Sequence, residues 1–350
     1  MVYLNSIVGN IIDTGYPITD KSKSKNVNSP SGNNGCPPDG PVPPKSGKGD
    51  NTGKLLLGIG AAALAASILA AGKKAQISRI ENRFAELYND IPACQKTFQD
   101  VFMRDISEEE TVEMLKRYEQ IEKNGLHQTK EEYINAVYEE AVRNYGLQDF
   151  GIKFIIEEFP DEPEKGGFWR AADKSVHVSP RFDKKSLFGS IHHELRHAKQ
   201  SETTQYLCKE DLIPLVPKVI GDVYELMKIG KSKELENGIT KEQYIENVVN
   251  NEEHFNNFVK WTYRAITRRD EALKTKEELL EAGVPLEKIE YAKQMTSGNI
   301  NYVNGSENFE TYWKNEIERD ARFAEDSIVK MIFGSLSYDR RRLNIKYGEV

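Results

Sequence analysis

The chain has 350 residues, 38% of them hydrophobic and 29% charged, which suits one or two domains with a sizeable core and excludes a wholly disordered or collagen-like chain. A net charge of -7 without a long basic stripe excludes nucleic acid as the main partner. Cys36, Cys94 and Cys208 form no CxxC pair, so a disulfide scaffold or cysteine zinc knuckle is excluded and a reducing compartment is favoured.

Residues 1–53 hold seven of the 14 prolines among many Gly, Ser, Asn and Lys, and are expected to be a disordered tail. Residues 54–74 are expected to form a transmembrane or Ala-rich helix. Leu55 to Gly72 carries no charge over eighteen residues, the lower limit for a bilayer span. A single-pass membrane protein is the expectation, with a cytoplasmic location the alternative. Lysine and arginine on the two flanks nearly balance, so no orientation follows.

Residues 75–148 read as a helical part. Ile77, Ile80, Phe84, Leu87, Tyr88 and Ile91 recur at helical spacing. Ser107 with Glu110, and Thr129 with Glu132, are capping boxes, and Gly146 is a stop. The Glu108–Glu110 charge run suits a helix N-terminus rather than a calcium site. The period then changes. Ile152–Glu158, Gly167–Ala171 and Ser175–Ser179 read as strands, the last two joined by a turn near Asp173-Lys174. A helix follows Asp183 through about residue 202. Residues 210–345 are again mostly helical, broken at Pro214, Pro217, Gly230, Gly283-Val284-Pro285 and the polar stretch 297–307.

The helix after the strands contains His193-Glu194-Leu195-Arg196-His197, an HExxH. Histidines four apart lie on one helix face, so both imidazoles can reach one tetrahedral zinc ion. Glu194 follows the first ligand and can act as general base on a zinc-activated water. Leu187, Ile191, Leu195 and Ala198 give the helix its apolar stripe, and His193 and His197 lie largely off it. A third ligand is needed. Gln200 and Thr203 stand where a metzincin would have glycine and histidine, which excludes that branch. A later glutamate is the alternative. Glu318 is the leading candidate, because Ala321 one turn on allows close helix approach; Glu316, with Asp320 one turn on, is its competitor.

A strand hairpin, an HExxH helix and a later helix with Glu-x-x-Ala together resemble the gluzincin-type zincin metallopeptidases, most closely the minimal bacterial ones that cleave antirepressors. The resemblance covers about 150–205 and 308–330. It implies an α+β, zincin-like core of a small antiparallel sheet plus active-site helix at 149–350, with a helical insertion at about 210–307. It also implies an edge strand, Gly167–Ala171 or Val176–Val178, that aligns a peptide substrate by backbone pairing. Two departures stand out: the long gap between His197 and Glu318, and Arg322 where relatives carry Asp or Asn. Asp320 or Glu325 is the substitute for that orienting acid.

His192, rotated about 100° from His193 on a helix, is expected to point away from the metal. His177, Tyr302 and Tyr312 are weaker candidates for oxyanion donors, and His127 and His254 read as surface residues. The expectation is therefore a zinc peptidase acting on peptide or protein substrates, with His193, His197 and Glu318 as metal ligands and Glu194 as catalytic base. The alternatives are a membrane-anchored helical interaction protein with a non-catalytic HExxH and a metal-binding regulator without proteolysis.

Overall fold

The computed structural model describes residues 52–336, except 163, 231–237, 304 and 306, together with residue 346; side chains are described from residue 70. The tail expected over 1–53 lies outside the described residues but for its last two. Most of the side chains of the expected membrane span also lie outside them. Among the described residues no helix is long and apolar enough to cross a membrane.

Four helices come first: α1 (Thr52–Tyr88), α2 (Ile91–Phe102), α3 (Glu108–Gly125) and α4 (Lys130–Tyr145). The chain divides into two compact units at a boundary within α1, between Ser78 and Arg79, and the sheet and all later helices belong to the unit that holds Arg79. Thr129 and Glu132 form the expected reciprocal cap on α4, and Gly146 ends that helix at φ 66°. At α3 only half of the expected box forms. Ser107 Oγ accepts from Glu110 N at 3.2 Å, but the Glu110 carboxylate is taken by Arg104 at 2.6 Å. A guanidinium is a stronger partner for a carboxylate than a backbone N–H.

Three four-residue strands come next: β1 (Lys153–Ile156), β2 (Gly167–Arg170) and β3 (Ser175–Val178), in the spatial order β1-β3-β2. The expected turn is present, with Lys174 at φ 53°. The sheet is mixed, however, rather than antiparallel: β2 runs antiparallel to β3, but β1 runs parallel to it. The cause is the order. The last strand lies between the other two, and two chain reversals leave it running the same way as the first. β3 is therefore paired on both sides, which removes Val176–Val178 as an edge. Gly167–Arg170 is an edge, as is β1 on the other side of β3. Ser179 N donates to Gly166 O at 2.8 Å, and with the register Phe168↔His177 this turns the backbone groups of Gly167 and Trp169 away from β3.

Asp183 caps α5 (Lys184–Thr203), accepting from Ser186 N at 2.8 Å. Beyond it lie α6 (Lys209–Leu212), α7 (Val216–Ile229), α8 (Lys241–Val249), α9 (Glu252–Thr267), α10 (Lys276–Glu281), α11 (Leu286–Ile300), α12 (Phe309–Lys314) and α13 (Glu316–Phe333). The fold is α+β, mostly helical.

One core joins Phe84, Phe98, Met114 and Ile134 to Val176, Leu187, Leu195, Ala324 and Ile328. The helices before residue 148 thus share a core with the sheet, α5 and α13, and packing shows no boundary at 148/149. The helical stretch between α5 and α12 has a second core, built on Val216, Ile220, Phe258 and Val259. α5 is central: Leu187, Phe188, Ile191, Leu195 and Ala198 are fully buried, and α13 packs along it. Gly189 permits that approach, since a Cβ there would stand 3.1 Å from Glu325 Oε1 and 3.2 Å from Val329 Cγ2.

Candidate metal centre

α5 presents His193 and His197 on the face that meets α13, and α13 brings Glu318 to both. His193 Nε2 and His197 Nε2 are 3.2 Å apart. Glu318 Oε2 lies 3.5 Å from the first, and Glu318 Oε1 lies 3.6 Å from the second. A tetrahedral ion bound at 2.0–2.1 Å sets its ligand atoms about 3.3–3.4 Å apart, close to these edges. His193, His197 and Glu318 form a cluster able to hold one ion. Glu318 is 4% exposed, and its Oε2 takes no hydrogen bond. Glu316, the competitor, is exposed at the start of α13 and stands apart from the cluster. Two residues on a helix differ by about 200° in direction, so only one of them can face α5.

The outer hydrogen bonds fix which imidazole nitrogens face inward. His197 Nδ1 lies 2.8 Å from Gln200 Oε1, and Gln200 Nε2 donates to Ile317 O and Asp320 Oδ2, both at 2.8 Å. With the amide N–H₂ committed to two acceptors, its oxygen must face His197 and accept the Nδ1–H. His193 Nδ1 lies 3.1 Å from Glu325 Oε2 and donates to that carboxylate. With both histidines neutral, both Nε2 atoms offer lone pairs toward the Glu318 carboxylate, a place that a cation can fill and that the proton held by His193 fills otherwise. Burial holds His197 below the usual imidazole range and therefore neutral, as a ligand must be. Burial also opposes a charge on His193, but the Glu318 and Glu325 carboxylates outweigh it and push His193 up to about 10. Burial raises Glu318 as well, yet the two imidazoles bring it down to about 2. The donor set of two imidazoles and a carboxylate fits zinc.

Glu194 is 6% exposed beside this cluster. Burial, with the Glu318 and Glu325 charges, pushes it up to about 7, against the pull of His193 and a hydrogen bond from the Trp169 backbone N–H. A Cβ on Gly167 would stand 3.1 Å from Glu194 Cγ. The edge strand β2 therefore runs directly past the acid. Tyr302 donates to Glu318 Oε1 at 3.2 Å, and Tyr312, whose ring lies 6.0 Å from that of Tyr302, is held protonated by burial and the Glu318 charge.

The remaining sequence candidates lie elsewhere. His192 points away from the cluster into a fully buried aromatic nest of Phe188, Tyr118, Phe102 and Tyr145, and burial brings it down to about 3. His177 hydrogen-bonds Ser175 Oγ at 2.8 Å and Glu157 Oε1 at 2.5 Å and stacks on Phe168 at 4.2 Å. Both ring nitrogens are committed, which leaves none to stabilise an oxyanion. Ser175, His177 and Glu157 have the hydrogen-bond order of a serine-hydrolase triad, but Ser175 is fully buried and its hydroxyl also meets Asp173 at 2.7 Å, so it is no nucleophile. His127 and His254 are exposed. Arg322, where an orienting acid was sought, is buried over the Trp313 ring at 4.0 Å and donates to the Trp313 carbonyl. Glu325 supplies the missing carboxylate from one turn further along.

Sequence reasoning missed Gln200 and Tyr291. Gln200 lies three residues after His197, a spacing that alone brings two side chains together on a helix. Tyr291 carries no such signal and reaches the site's surroundings only through tertiary packing. In comparisons with known proteins, no family model, curated protein or solved structure matches this chain.

Proposed function

We propose that this protein is a zinc-dependent peptidase with a zincin-like core. The observation that carries the reading is the triangle of His193 Nε2, His197 Nε2 and Glu318 oxygens with edges of 3.2, 3.5 and 3.6 Å, beside a buried carboxylic acid. A zinc ion held by His193, His197 and Glu318 would supply a Lewis acid and make water more acidic. Glu194 takes the proton from the attacking water and returns it to the leaving amine. A carboxyl poised near neutrality suits both halves of that exchange. The outward backbone groups of Gly167 on β2 pair with an extended peptide and hold its scissile bond beside Glu194. The Tyr302 and Tyr312 side chains both interact with Glu318, Tyr302 as a hydrogen-bond donor to Oε1.

The uncharged stretch Leu55–Gly72 supports a single-pass membrane tether, tested by whether the full chain stays with membranes through an alkaline carbonate wash. The central test is zinc content and hydrolysis of an unfolded protein substrate by the full chain, beside His193→Ala and Glu318→Ala. One zinc per chain, lost in both variants together with hydrolysis, is expected. A zinc-free wild type after reconstitution overturns the reading in favour of an interaction protein. Zinc without hydrolysis leaves a metal-binding regulator.

A further inference from the structure

The metal cluster does not end at Gln200. Asp320 Oδ2, which fixes the Gln200 amide, also accepts from Arg196 Nε at 2.7 Å and from Tyr291 Oη at 2.6 Å; Arg196 Nη2 donates to Asp320 Oδ1 at 2.6 Å. Arg196 is itself held, its Nη1 donating to Val101 O at 2.5 Å and Asp100 O at 3.2 Å near the end of α2. Arg196 and Gln200 are buried and Asp320 and Tyr291 half-buried, and away from bulk water a charged hydrogen bond fixes geometry strongly. Tyr291 stands on α11, inside the helical stretch that separates His197 from Glu318. It links that stretch to the hydrogen bonds that reach His197, while Tyr302 links it directly to Glu318.

We propose that Tyr291 is a positioning residue of the metal centre, acting through Asp320 and Gln200 to hold His197 in the tautomer that turns Nε2 toward the ion. The proposal rests on the metal-site reading above. Each link follows from donor and acceptor counts. The phenol and the guanidinium fix the Asp320 carboxylate, whose Oδ2 takes one Gln200 N–H while the Ile317 carbonyl takes the other. The amide oxygen is left for His197 Nδ1–H alone. Without the phenol, Asp320 keeps Arg196 and has freedom to turn toward it, and the amide loses a defined orientation. The helical elaboration thereby becomes part of the metal site rather than an appendage to it.

The test is competition of inorganic Zn²⁺ between a chromophoric chelator and the full chain, for wild type, Tyr291→Phe, Gln200→Leu and the double variant. Outer partners of ligating histidines are worth roughly tenfold to a hundredfold in affinity, which is expected for Gln200→Leu, with about three- to tenfold for the more distant Tyr291→Phe. In the Gln200→Leu background, Tyr291→Phe should cost nothing more, because the relay is already cut. The ligand-field spectrum of the Co²⁺-loaded protein should change in both single variants. The melting temperature of the metal-free protein, measured alongside, shows that each variant folds.

Wild-type affinity in Tyr291→Phe with an unchanged cobalt spectrum overturns the proposal and leaves the metal site standing. Costs that simply add in the double variant overturn it too, since they show separate effects. Absence of stoichiometric zinc in the wild type overturns the metal-site reading itself, a result distinguishable from the other two.

Discussion

The hydrogen bond between His193 Nδ1 and Glu325 Oε2, at 3.1 Å, makes a quantitative prediction. In Glu325→Gln the acceptor is neutral and the donor loses its charged partner, while the side-chain volume is kept. Loss of such an outer partner weakens metal binding by about tenfold to a hundredfold, equivalent to about 1.4–2.7 kcal/mol. In the metal-free protein two effects of removing Glu325 oppose each other: relief of its repulsion with Glu194 and loss of its attraction to His193. Chemical denaturation at buffered free Zn²⁺ and in chelator reads the two states separately, because a ligand that binds only the folded state stabilises it in proportion to the logarithm of its affinity. Glu325→Gln should lose about 1.4–2.7 kcal/mol of the zinc-dependent stabilisation, with a smaller change in the zinc-free stability. Glu316→Gln, on the exposed side of α13, should match wild type in both. Wild-type zinc stabilisation in Glu325→Gln would refute the role assigned to this carboxylate.

Glu194→Gln should keep its zinc and lose about 10²–10⁴ in the rate of peptide hydrolysis, a range typical of a lost general base; undiminished turnover would sink the mechanism. Gly167→Ala places a Cβ 2.6 Å from the His177 carbonyl oxygen, which no side-chain rotation relieves. It should cost about 1–3 kcal/mol in urea unfolding and raise KM for a peptide, and neutrality in both would remove β2 from the substrate site. Glu122, beneath the Tyr133 hydroxyl, is pushed up by burial to about 7 from an ordinary 4.5. Below 4.5 both folded and unfolded chains hold this proton; between 4.5 and 7 only the folded chain does, so its stabilising effect is lost as pH rises. The protein should lose about 3 kcal/mol from this group by pH 8, and the loss should vanish in Glu122→Gln; equal pH slopes in the two proteins would contradict it.

Much of the site is legible in the order of residues because it rests on helical periodicity. The HExxH pair needs only the four-residue repeat of α5, and the Asp183 cap and the apolar stripe place that helix. Choosing between Glu318 and Glu316 needs a fact that spacing does not hold: which side of α13 meets α5. Ala321 hints at it, and the burial of Glu318 against the exposure of Glu316 supplies it. The orienting acid lies at Glu325 rather than at position 322 because Arg322 is turned back over Trp313, an arrangement set by α12. The sheet order is hidden for a similar reason. Three short strands carry no signal of which lies between the others, and the parallel pairing of β1 with β3 depends wholly on that order. The Tyr291–Asp320–Gln200 relay joins three separate helical segments, and no local pattern encodes such a meeting.

The donor set of the metal centre is divided between two helices far apart in the chain, α5 with both imidazoles and α13 with the carboxylate. A chain made from its N-terminus carries the HExxH helix, the edge strand and the acid Glu194 long before its third ligand exists. Through that interval the two histidines have only water or a stray carboxylate to complete their coordination, and Arg196 lacks the aspartate that neutralises it. Competence therefore arrives with the docking of α13, after synthesis has passed Phe333. On the proposed reading, any hydrolysis at such a site begins only once α13 has been made and has docked on α5.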